Sequence, residues 1–154
     1  MIRDNPQIPL ARLFAMAYGD LIDALHERLA ERGWRDVRPA FGFVLLAARD
    51  QPITITEVAT LMGTTKQAAS KLAGSIIDAG YLERGASSGD GRERPLRLSS
   101  RGARLLADVE QTYEELEVQW ADVIGASALS RLRRDLTRAV AASHGGHLPA
   151  VRPT

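Results

Sequence analysis

Residues 53–80 carry the feature that most constrains what this chain can fold into: two short helical stretches, each opened by a threonine and closed by a glycine. In the first, Thr54 and Glu57 have the spacing of a capping box, in which the hydroxyl accepts from the third helical amide while the carboxylate reaches back. Val58, Leu61 and Met62 form its buried stripe, and Gly63 closes it. In the second, Thr64 and Gln67 repeat the spacing, Ala68, Leu72, Ile76 and Ala79 form the inner face, and Gly80 stops it. Two such helices around a glycine-containing turn predict a helix-turn-helix.

Residues 81–84 and 95–99 then read as strands. Residues 85–94 between them hold three glycines, two serines and an aspartate, the chemistry of a hairpin tip. A helix-turn-helix followed by a β-hairpin is a winged helix. Helical periodicity flanks it on both sides. Leu10, Leu13, Phe14, Ala17, Leu21, Leu25 and Leu29 define a first long helix that Gly33 ends. Pro39 suits the first position of a second helix carrying Phe41, Val44, Leu45 and Ala48. After the hairpin, Ser99 or Ser100 can cap a fifth helix with Leu105, Leu106, Val109, Tyr113, Leu116 and Trp120 in a stripe. A sixth follows Gly125 from about Ala128, with Leu129, Leu132, Leu136 and Val140. Residues 1–9 read as an arm, and the tail from Ser143 as loose. The expected fold class is mainly α with a small β-hairpin wing, the winged helix-turn-helix lying between N- and C-terminal helices.

Charge sharpens the functional reading. The whole chain is nearly balanced, at +1, yet residues 62–104 hold eight basic residues against four acidic ones, a local excess of four. Both lysines, Lys66 and Lys71, fall there. Residues 107–122 hold six acids and no lysine or arginine. A positive middle beside a negative helix suits a surface for a polyanion and a second surface turned away from it. The front of the fourth helix is small and polar: Thr64, Thr65, Lys66, Gln67, Ala69, Ser70 and Lys71. Such a face lets a helix approach the DNA major groove and bond base edges or phosphates. On the hairpin, Arg92 is placed to enter a minor groove, with Asp90 two residues earlier to brace the guanidinium.

These residues resemble the multiple-antibiotic-resistance-regulator (MarR) family of winged-helix transcription factors. The likeness is carried by Thr56-Glu57-Val58-Ala59 and Leu61-Met62-Gly63, by Asp78-Ala79-Gly80-Tyr81-Leu82-Glu83-Arg84, by Asp90-Gly91-Arg92-Glu93-Arg94, and by Leu98-Ser99 with Arg101-Gly102. Ser99 stands where the family usually has Thr, and Gly74 interrupts the recognition helix. The resemblance implies one MarR-like domain over 1–154, with dimerisation helices at 10–32 and 101–142 and the DNA-binding region at 39–100. It implies DNA contact through Thr64, Thr65, Lys66, Gln67, Ser70, Lys71, Asp90, Arg92 and Arg94, Arg94 matching the second basic wing position. It further implies a homodimer on a pseudo-palindromic double-stranded operator, most commonly as a repressor, and release by a small aromatic or anionic effector.

Two expectations stand on the residues themselves. The apolar stripes of the outer helices exceed what a winged helix of about sixty residues can cover, so a second copy is expected on Phe14, Leu21, Leu129, Leu132 and Leu136. An arginine beside an aromatic suits an anionic aromatic ligand, which nominates Tyr18, His26, Trp34, Arg35 and Arg38. A constitutive or architectural DNA binder, or a winged helix used for protein contacts, keeps the same fold without sensing and stays open. Catalysis is not expected: there is no glycine-rich phosphate loop, Glu110, Glu114 and Glu117 read as a solvated stripe, and His144 and His147 are too few for a metal site. The chain has no cysteine, which removes thiolate metal sites and thiol switches. No cofactor or metal and no membrane segment are expected, and the expected location is cytoplasmic.

Overall fold

The computed structural model describes residues 7–86, 89 and 91–154. Six helices and one hairpin follow in the order α1 (Leu10–Glu31), α2 (Pro39–Ala48), α3 (Ile55–Met62), α4 (Lys66–Asp78), β1 (Leu82–Arg84), β2 (Leu96–Leu98), α5 (Ser100–Ile124) and α6 (Ala126–Ala142). Local chemistry sets most boundaries. Pro39 opens α2, and the capping box of α3 is complete: Glu57 N–H donates to Thr54 Oγ1 at 3.2 Å and Thr54 N–H to the Glu57 carboxylate at 2.7 Å. Gly63 ends α3 in the left-handed region at φ 62°, which glycine adopts without steric cost.

The second cap departs from expectation by one residue. Thr65, not Thr64, caps α4, accepting from the Ala68 amide at 3.1 Å. Thr64 instead donates its amide to Ala59 O and completes the end of α3. The same one-residue offset exchanges the roles of two alanines: Ala69 is fully buried and Ala68 exposed. With Ala73 and Ile76, Ala69 forms the inner face of α4, and alanine there lets α4 sit close against α3. Ser99 caps α5 through the Gly102 amide at 3.0 Å.

The hairpin pairs Leu82 with Leu98, Glu83 with Arg97 and Arg84 with Leu96. Both strands are shorter than the sequence pattern suggested. Tyr81 turns inward instead of joining the ladder; it is fully buried, and its hydroxyl bonds to Asp36. Ile53, just ahead of α3, exchanges both backbone hydrogen bonds with Leu96, at 2.8 and 2.9 Å. That bridge fixes the wing to the helix-turn-helix.

One core joins Leu25 and Leu29 of α1, Phe41, Val44 and Leu45 of α2, Val58, Ile76, Tyr81, Leu96, Leu105 and Leu116. Helix α6 contributes nothing to it: no α6 residue is buried. Arginines staple α1 to α5. Arg28 and Arg32 reach Glu115 at 3.3 and 2.5 Å, and Arg32 also donates to buried Thr112 at 2.8 Å. The tail beyond α6 forms no helix or strand, and its exposed residues 149–152 lie beside α2 and α3, lining a groove with Ala47, Pro52, Thr56 and Leu61. Gly74 lies inside α4 in open space: a Cβ placed there meets nothing within 4 Å.

Candidate nucleic-acid interface

The turn between α3 and α4 and the wing bring the nominated residues to the surface. Thr64, Thr65, Lys66, Gln67, Ser70 and Lys71 are all exposed at the start and along the outer face of α4. The cap at Thr65 leaves that first turn presenting its donors outward. On the wing Arg92 and Arg94 are exposed. Arg94 Nε donates to Gly85 O at 3.1 Å, which ties its stem to the base of the hairpin. Asp90, nominated as the brace for Arg92, lies outside the described residues.

One wing residue joins the recognition surface in a way the sequence pattern did not single out. The Glu93 carboxylate forms an ion pair with the Lys66 ammonium. It also accepts from the Thr56 hydroxyl at 2.9 Å and the Thr56 amide at 3.3 Å. Lys66 is the first residue of α4, and Thr56 is the second of α3. Glu93 therefore bridges the wing to both helices of the helix-turn-helix. The Lys66 ammonium first, and the Thr56 donors with it, hold the Glu93 carboxyl below its ordinary range.

Behind the wing, a tight cluster fixes its base. The Arg101 guanidinium lies 5.0 Å from the Trp34 ring centre and 5.1 Å from that of Tyr81. Trp34 Nε1 donates to Asp108 at 2.5 Å. Burial and the Asp36 carboxylate push the Tyr81 hydroxyl up to about 12, so it stays a hydrogen-bond donor.

The five ligand candidates are not brought together. Only His26 lines the apolar cavity of about 120 Å³ between α1, α2 and α5, with Leu29, Phe43, Leu106, Glu110 and Tyr113 among its walls. Trp34 is engaged with Asp108 and Arg101, and Arg38 stacks on Phe41 at 4.8 Å. Tyr18 and Arg35 are exposed. Burial holds the His26 imidazole below its ordinary pKa, opposed in part by Val37 and Asp23.

The outer helices leave an apolar layer uncovered. Leu10, Leu13, Phe14 and Met16 on α1, Val118, Val123 and Ile124 on α5, and Leu132 and Val140 on α6 are all exposed. Of the nominated interface residues, Phe14 and Leu132 belong to this layer. Leu129 and Leu136 are half-buried, and Leu21 packs partly on the core. Among the described residues no cluster of three or more His, Asp or Glu could hold a metal, and no helix is long and apolar enough to cross a membrane.

A polar recognition helix, a wing on the same side and long flanking helices define a winged helix-turn-helix of the transcription-regulator class. Its winged-helix region, residues 42–93, matches the model of the MarR family, and in that region the chain is similar to the regulators of this family. Regulators of this family bind DNA and function as dimers. Over 108 residues the chain is 29% identical to the exopolysaccharide II synthesis transcriptional activator ExpG of Rhizobium meliloti (strain 1021). That match covers 70% of this chain and 56% of ExpG, so the chain spans little more than half of that relative's length. The reduced form of MarR from E. coli superposes with a TM-score of 0.74 at 23% identity, covering 88% of this chain and 99% of that one. The regulator Tm0710 from Thermotoga maritima gives 0.67 at 19% identity over 90% and 98%. A mutant MepR from S. aureus bound to an oligodeoxyribonucleotide gives 0.60 at 16% identity over 88% and 99%. At these identities the solved structures establish the fold.

Proposed function

We propose that this chain is a homodimeric, sequence-specific DNA-binding regulator that works in the cytoplasm as a repressor. The observation that carries this reading is the common exposure of the polar front of α4 and the arginines of the wing on a scaffold whose apolar residues face the other way. Thr64, Thr65, Lys66, Gln67, Ser70 and Lys71 meet the major groove, and Arg92 and Arg94 the flanking minor groove and backbone. The uncovered apolar layer of α1, α5 and α6 supports a two-fold dimer through Phe14, Leu129, Leu132 and Leu136, with Leu21 at its edge. Two-fold symmetry sets two α4 helices about one DNA turn apart, so the target is an inverted repeat. A site overlapping the promoter gives repression, whereas ExpG is a transcriptional activator.

The effector site is the cavity beside His26. Its volume of about 120 Å³ is near that of an apolar cavity of roughly 150 Å³ that admits benzene. Its walls carry Glu110 and no arginine, so the geometry favours a small neutral apolar molecule over the anionic aromatic one expected from Arg35 and Arg38. Such a ligand releases DNA only if it prefers the dimer spacing that cannot reach both half-sites.

Selection of bound fragments from a genomic library by the purified full chain tests the reading. Enrichment of an inverted repeat with half-sites about one turn apart is the expected result. Enrichment of lone half-sites removes the dimer, and no enrichment over input removes DNA binding itself.

A further inference from the structure

We propose that Glu93 is an internal stand-in for a DNA backbone phosphate: in the free protein it occupies Lys66 and Thr56, and duplex DNA displaces it to gain those contacts. The inference rests on the DNA-binding reading above. The groups around the carboxylate are all donors. One oxygen meets the Lys66 ammonium and the Thr56 hydroxyl; the other meets the Thr56 hydroxyl at 3.0 Å and its amide at 3.3 Å. The Thr56 amide belongs to the first turn of α3, where amides have no partner inside the helix. An ammonium, a hydroxyl and a helix N-terminal amide are the donors by which proteins hold DNA phosphates. Two carboxylate oxygens occupy them as two phosphate oxygens do.

Position makes the occupant a competitor. Glu93 stands in sequence between the exposed Arg92 and Arg94 of the wing and rests on Lys66 at the exposed front of α4. A duplex laid along that surface brings a phosphate toward the same point, where a fixed negative charge repels it. The Lys66 ammonium side chain is 63% exposed, so the ion pair is in contact with water, weak and exchangeable. Bound DNA replaces one anion by another on an unchanged set of donors. The free protein thus divides between a self-occupied and an open interface, and the apparent affinity falls by the open fraction. The assignment also selects a backbone phosphate, of the base edges or phosphates open to the α4 front, as the partner of Lys66, and adds Thr56 to the interface.

A phosphate contact acts on any sequence, so the probe is a fluorescein-labelled 30-base-pair duplex of mixed sequence, titrated with the full chain between 50 and 200 mM salt and read by anisotropy. Glu93→Gln keeps the shape and removes the charge; Glu93→Ala removes the contact. Both are expected to bind about three- to tenfold more tightly at 100 mM salt, with a salt slope steeper by about 0.9, the value for one more phosphate neutralised. Lys66→Ala is expected to have little effect in the parent and to abolish the gain in Glu93→Gln. Three results overturn the proposal. Weaker binding by both Glu93 variants makes the bridge a wing brace. Unchanged binding makes it inert. A gain that survives Lys66→Ala makes it general repulsion. Failure of the parent chain to bind the duplex at any salt, while it melts cooperatively, removes the DNA-binding reading instead.

Discussion

Gly102→Ala is expected to destabilise the fold even though it replaces glycine by the best helix former inside a helix. In open space the change gains about 1 kcal/mol. At Gly102 the new Cβ lies 2.2 Å from the Tyr81 carbonyl oxygen and 2.9 Å from a Leu98 methyl. The methyl can turn aside, but the carbonyl is backbone. It accepts from the Ser99 amide at 3.0 Å, so moving it strains the junction of wing and α5. Overpacking of this kind costs about 1–3 kcal/mol, and the weakened hydrogen bond adds about 1 kcal/mol. After the helix gain, the net loss is about 1–3 kcal/mol. For a chain of this length that lowers the melting temperature by several degrees, at about 2–4 °C per kcal/mol. Gly74→Ala is the matched control. It also lies inside a helix, its Cβ meets nothing within 4 Å, and a gain of about 0.5–1 kcal/mol is expected. Urea unfolding followed by circular dichroism at fixed protein concentration measures both. If Gly102→Ala proves as stable as the parent, α5 does not press on the Tyr81 carbonyl and the account of the wing base is wrong.

Three further outcomes follow from the geometry. Burial lowers the His26 pKa, so the fold favours the neutral ring: its contribution is complete above the unfolded value near 6.5 and is lost as pH falls below it, when the unfolded chain takes up the proton first. Denaturation midpoints from pH 7.5 to 5 should therefore fall less in His26→Gln than in the parent, and parallel profiles would place the loss elsewhere. Phe14→Glu with Leu132→Glu sets charges into the uncovered layer, and sedimentation should show a monomer; an unaltered dimer moves the interface off this face. Arg92→Ala should weaken operator binding by about 1–3 kcal/mol, and undiminished affinity would take the wing arginine out of the groove.

How much of this was legible in the sequence depends on the range of the interaction. Helices opened by Thr54, Pro39 and Ser99 and closed by Gly33, Gly63 and Gly125 were readable because caps act within four residues. The order of helices and hairpin followed, and with it the fold. The start of α4 was misplaced because Thr64 and Thr65 are both capable caps, and the choice depends on how Thr64 closes α3. That single residue then swapped Ala68 with Ala69. The surroundings of the ligand candidates were hidden for a different reason. Trp34 and Arg38 look available in a loop, but Asp108 lies 74 residues beyond Trp34, and no local pattern tells that it will meet the indole.

Glu93 shows the same limit at the candidate site and gives the charge pattern its meaning. Counted along the chain, the acidic stretch of α5 and the basic middle segment are two separate surfaces. In three dimensions four of the six acids in residues 107–122 pair with groups of the same chain: Glu115 with Arg28 and Arg32, Glu110 with Arg49 at 3.4 Å, Glu117 with Arg133, and Asp108 with Trp34. These pairs tie α5 to α1, to the segments that follow α1 and α2, and to α6. Glu93, counted in the basic segment as one acid among eight cations, sits instead on the recognition helix's first lysine, 27 residues away in sequence. Net charge over a window therefore understates how strongly one carboxylate can tune a nucleic-acid surface. What decides it is which ammonium the carboxylate rests on, and that is fixed by the Ile53–Leu96 bridge holding the wing against the start of α3.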